Sequence, residues 1–136
     1  MANEKLRLPF SIDVYQGLGR LDGLMSLQQD VLVLEFQIKD TLVGGIRSRP
    51  KTLHLDLNEV DYVKYSQNLF GARFVIQAHT LAAVAAIPTA DKGEVRLSIA
   101  RKDREQARRM ESHINLRISE LRLDVHERGE SLLGGS

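Results

Sequence analysis

Apolar and polar residues alternate with a period of two through roughly the first hundred residues, and the pattern turns helical once, near Asp103. The clearest stretch is Leu57 to His79, LNEVDYVKYSQNLFGARFVIQAH, which reads as strand, turn, strand with the turn over Gln67 to Gly71. In it Val60, Val63 and Phe70 are expected in the core, and Tyr62, Lys64 and Ser66 outside. Upstream, Leu6, Leu8, Phe10, Ile12 and Val14 alternate with polar positions as a strand, and Pro9, which has no N–H to donate, predicts an edge position or a strand start. Gly17, Gly19 and Gly23 then mark a turn or bulge. Two strands follow, Leu24–Leu27 and Val31–Ile38. The second, VLVLEFQI, is apolar on both faces at its start, as in a strand that lies centrally or beneath another element. Leu53, Leu55 and Leu57 alternate against Thr52, His54 and Asp56 as another strand with one wet face. For LAAVAAIP after His79 periodicity does not separate helix from strand, and its place between strands favours a short strand. Glu94 to Ala100 alternates once more.

At Asp103 an acidic N-cap is followed three residues on by Gln106, a capping-box start. Ala107, Met110, Ile114, Ile118 and Leu121 then recur at three- and four-residue spacing and mark one stripe of a helix over 103–122. The chain therefore divides into an N-terminal segment, 1–22, with an extra edge strand; a main domain, 23–124, ending in the helix; and a loose tail, 125–136.

Composition changes this picture little. A chain of 136 residues, 43% apolar and 27% charged, is expected to fold as one globular domain. The formal net charge of +1 supplies no global attraction to nucleic acid or anionic lipid, so an electrostatic partner must be read by a local patch. There is no Cys, which removes disulfides and thiolate chemistry. The N-terminus lacks the apolar run of a secretory signal, and the longest uncharged apolar run, Leu81 to Ile87, falls far short of the ~20 residues needed to span a bilayer. A cytoplasmic location is expected. His54, His79, His113 and His126 are scattered without metal-ligand spacing, and no serine stands in a nucleophile-elbow motif. The glycines of QGLGRLDG have the wrong spacing for a dinucleotide loop. No enzyme, metal or cofactor is expected.

About seven meander-type strands followed by one amphipathic helix give a mainly β fold with one C-terminal α-helix. The hairpin at 57–79, followed by GEVRLSIA and a capped helix at KDREQARRM, resembles the pleckstrin-homology-like (PH-like) superfold, in particular its small bacterial and GRAM-like members. The points of resemblance are a leucine, acidic, valine corner at Leu57, Glu59 and Val60, a glycine turn at Phe70 and Gly71, and the strand from Arg73 to Ala78. The resemblance covers roughly Gly23 to Leu121, and the absence of Trp places the chain nearer the bacterial branch. It implies a barrel of about seven antiparallel strands capped by the helix, and a binding rather than a catalytic role. The turn that carries phosphate-binding cations in eukaryotic relatives is here Gln28, Gln29 and Asp30, which disfavours inositol-phosphate recognition.

Two surfaces are candidates for binding. Arg47, Arg49 and Lys51 form a basic loop able to contact an anion or an anionic lipid headgroup, since arginine geometry suits phosphate. The start of the helix, with Arg101, Lys102, Arg104, Arg108 and Arg109 against Asp103 and Glu105, is also locally basic, but the lack of interleaved aromatics counts against single-stranded nucleic acid. On the helix, Met110, Ile114, Leu116, Ile118, Leu121 and Leu123 spread wider than one stripe, and predict a surface for a protein partner or a second copy of the chain.

Overall fold

Among the described residues the fold has seven strands of six to ten residues, a two-residue strand and one long helix: β1 (Arg7–Val14), β2 (Gly19–Gln28), β3 (Val31–Asp40), β4 (Ile46–Arg47), β5 (Lys51–Asp56), β6 (Val60–Asn68), β7 (Gly71–Ala78), β8 (Glu94–Ile99) and α1 (Arg104–Gly134). The structure is a computed structural model that describes residues 6–14, 17–40, 46–47 and 49–134, with residues 40, 46–47 and 127–134 described by their backbone alone. The sheet is antiparallel throughout and runs in the order β4-β3-β2-β1-β8-β7-β6, with β5 also paired to β3. It is an open sheet: among the described residues no ladder joins β5 to β6, so the strands do not close into the expected ring.

The period-two pattern sets which face is buried. Leu8, Phe10, Ile12 and Val14 of β1 point to the same interior as Phe74 and Ile76 of β7 and Val95, Leu97 and Ile99 of β8. On β3, Leu32, Leu34 and Phe36 join this core, while Val33 is buried on the opposite face, as its doubly apolar sequence required. Gly23 is needed for packing. A Cβ there would lie 2.7 Å from the carbonyl oxygen of Glu35 and would run into the ring of Phe10, its cross-strand partner.

Five expectations are corrected. β1 is not an edge strand appended to a domain beginning at residue 23; it lies between β2 and β8 and joins the two halves of the sheet. It pairs with β8 only at Ser11↔Ser98, so on that side there is no ladder at Pro9 to interrupt. Residues 81–88 are not a strand. Val84, Ala85, Ile87 and Ala90 donate their N–H groups to the carbonyls three residues back, a chain of tight turns that buries Val84 and Ile87 and leaves Leu81 exposed. Phe70 is not in the core, because the two-residue turn it occupies projects beyond the sheet. Asp103 closes a 3-10 turn over Arg101–Asp103, and its Oδ2 is buried with no hydrogen-bond partner. The helix passes Arg122 and continues to Gly134, through the segment read as a loose tail. Nothing after Arg122 forbids this: no proline occurs, and one interior glycine, Gly129, costs only about 1 kcal/mol.

Candidate interaction surfaces

The attachment of α1 determines which of its residues are left for a partner. Ala107, Met110, Ile114 and Ile118 are buried against the sheet as one stripe, with Leu121 packed at its margin. Beside the stripe, polar side chains bond to the backbone of β6. Asn115 Oδ1 accepts from the N–H of Val63 at 3.0 Å, and its Nδ2 donates to the Val63 carbonyl at 2.8 Å. Glu111 Oε2 accepts from the N–H of Tyr65 at 2.6 Å, and Arg122 Nη2 donates to the carbonyl of Asp61 at 2.7 Å. Residues 61, 63 and 65 are alternate positions on a strand at the sheet's edge, whose outward backbone groups would otherwise face water or a foreign strand. The helix thus occupies the edge that a closed barrel would have paired.

A second tie reaches the other half of the sheet. Arg117 grips Asp30, in the β2–β3 turn, through Nε at 2.7 Å and Nη2 at 2.9 Å, a bidentate pair. The hydrogen bonds from Arg117 hold the Asp30 carboxyl below its ordinary range, against an opposing effect of burial, and the Arg117 guanidinium is raised in turn. At the helix start, Arg108 donates to Gln67 Oε1 at 2.7 Å and lies over the ring of Tyr65, 5.5 Å from its centroid.

These contacts divide the partner surface expected from sequence. Met110, Ile114 and Ile118 are core residues out of a partner's reach, and Leu121 is half-buried. Leu116 and Leu123 are exposed at 62% and 60%. The sequence reading missed Val125, 61% exposed, which continues the inward stripe of Ile114, Ile118 and Leu121. Val125, Leu121 and Ile118 line a cavity of about 480 Å³ with Leu57 and Val60, rimmed by Asp61, His79, Arg122 and His126. His79 Nδ1 lies 3.1 Å from Asp61 Oδ1.

In the basic loop, Arg49 and Lys51 are exposed at the entry to β5, while the side chain of Arg47 lies outside the described residues. The four histidines are all exposed, and among the described residues no three His, Cys, Asp or Glu side chains gather as a metal site. Among the described residues no helix is long and apolar enough to cross a membrane.

No family model matches the chain, and neither the curated proteins nor the solved structures contain a significantly similar one.

Proposed function

We propose that the protein is a non-catalytic PH-like binding module that assembles with a second copy of itself through the C-terminal half of α1. Two features support the PH-like reading. The sheet is antiparallel and leads into one C-terminal helix, and that helix is tied both to β6 and to the β2–β3 turn, although the strands do not close into the barrel that the resemblance implies. The observation that carries the assembly reading is the overhang of α1. Arg122 bonds to the Asp61 carbonyl, and the helix runs on to Gly134, about 18 Å further at 1.5 Å per residue. Along it Leu123 and Val125 stand exposed. A helix of this length is not stabilised by propensity alone in water and gains from a packed face.

The test is the native mass of the full chain, measured by light scattering, against a chain ending at Asp124 and the double variant Leu123→Glu, Val125→Glu. Both variants keep the stripe of Ala107, Met110, Ile114, Ile118 and Leu121 and the bond from Arg122 to the Asp61 carbonyl. A multimer in the full chain that falls to monomer in both variants is expected. Monomer in all three would remove the assembly reading.

A further inference from the structure

The β6–β7 hairpin ends in a feature that folding does not explain. Asn68 pairs with Gly71, so the loop is two residues, Leu69 and Phe70, and the N–H of Phe70 donates to Asn68 Oδ1 at 2.8 Å to close the turn. Turns of this length favour Gly, Asn and Asp. Here both loop positions hold large apolar side chains, 95% and 96% exposed, which bury nothing in the molecule. Places where a chain breaks a local rule without structural gain are where function is expected.

The surroundings of the tip are cationic. Ala72 pairs with Ile99, so the turn lies beside the segment leading from β8 into α1, and Arg108 reaches back to Gln67, two residues from Leu69. Across 66–73 and 100–109 stand Arg73, Arg101, Lys102, Arg104, Arg108 and Arg109 against only Asp103 and Glu105, four positive charges net in a chain whose total is +1. The rest of the protein is therefore net acidic, and the positive charge is concentrated around the apolar tip. The tip is distinct from the Arg49–Lys51 entry: β5 pairs with β3, and β2, β1 and β8 stand between β3 and β7 in the sheet.

We propose that the Leu69–Phe70 tip inserts into the surface of an anionic lipid bilayer while the surrounding arginines and lysine meet the headgroups. A projecting apolar turn within a basic collar matches the two layers of such a surface, apolar chains beneath and negative charge above. The collar favours this occupant over an apolar pocket in a protein, which would seat the two side chains without calling for excess positive charge around them.

The chain has no Trp, so Phe70→Trp in the full chain places a single reporter at the tip. Its emission should shift to the blue on adding vesicles of about one third phosphatidylserine in phosphatidylcholine, and should stay near its free value with phosphatidylcholine alone. In sedimentation with the mixed vesicles, Leu69→Ser with Phe70→Ser should weaken partitioning by about tenfold or more, since fully burying each side chain is worth about tenfold to a hundredfold. Arg101→Glu with Lys102→Glu should weaken it comparably on mixed vesicles, and added salt should do the same. The thermal midpoint of the serine variant should not fall, because the two residues pack against nothing. Emission unchanged by mixed vesicles, or partitioning indifferent to the tip substitutions, would overturn the proposal. So would a blue shift that needs no vesicles, which would point to a protein pocket. The native mass without vesicles reads the helix overhang separately, so the two proposals can fail independently.

Discussion

Asn115 is the residue through which the helix takes the place of a missing strand, and its truncation should show how much that substitution is worth. Asn115→Ala removes two hydrogen bonds, at 3.0 and 2.8 Å, and leaves both backbone groups of Val63 without their partner. At about 1 kcal/mol net for each bond, with water reaching the half-buried site and relieving part of the desolvation cost, the loss is about 2 kcal/mol. For a chain of 136 residues the unfolding entropy is about 0.29 kcal/mol/K, so the midpoint should drop by about 7 °C. Urea unfolding followed by circular dichroism measures the loss, with Ser119→Ala, on the exposed face of the same helix, as a control expected within about 0.5 kcal/mol. Amide hydrogen exchange supplies a local readout: Val63 should be protected in the native protein although it faces away from β7, and should exchange fast in Asn115→Ala while residues on β7 stay slow. A loss under about 0.5 kcal/mol with Val63 still protected would refute the idea that helix side chains satisfy this edge.

Two further predictions concern the other tie and the sheet itself. The Asp30 carboxyl is held below its ordinary range when folded, so its contribution is present above the unfolded value near pH 4 and is lost as pH falls through the lower folded value. Asp30→Asn should therefore cost stability near neutrality, and the gap to the native protein should narrow on acidification below about pH 4; parallel pH profiles of the urea midpoint would exclude the linkage. Gly23→Ala should destabilise by about 1–3 kcal/mol, because the added methyl meets the Glu35 carbonyl and the Phe10 ring, and pairing it with Phe10→Leu should recover part of the loss in thermal unfolding. No recovery would mean that the backbone carbonyl, not the ring, sets the cost.

The sequence by itself determined the parts of the protein that depend on neighbours in the chain. Alternation in LRLPFSIDV, TLHLDL and ARFVIQA places a strand and its buried face, and the spacing from Ala107 to Ile118 places the inward side of a helix, because side-chain direction repeats every two or about 3.6 residues whatever the strand later pairs with. The hairpin turn at 67–71 is likewise a local matter. Tertiary structure decided the rest. Pro9 locally favours an edge, but the position of β1 is set by pairing with β8, some ninety residues away, and no local pattern encodes that choice. Phe70 is as apolar as Phe74, and only the geometry of the turn leaves one in water and the other fully buried. Glu111, Asn115, Arg117 and Arg122 read in sequence as an ordinary polar helix face. They become ties to β6 and the β2–β3 turn because the sheet stays open and its edge needs partners, a requirement that exists only once the strands have assembled.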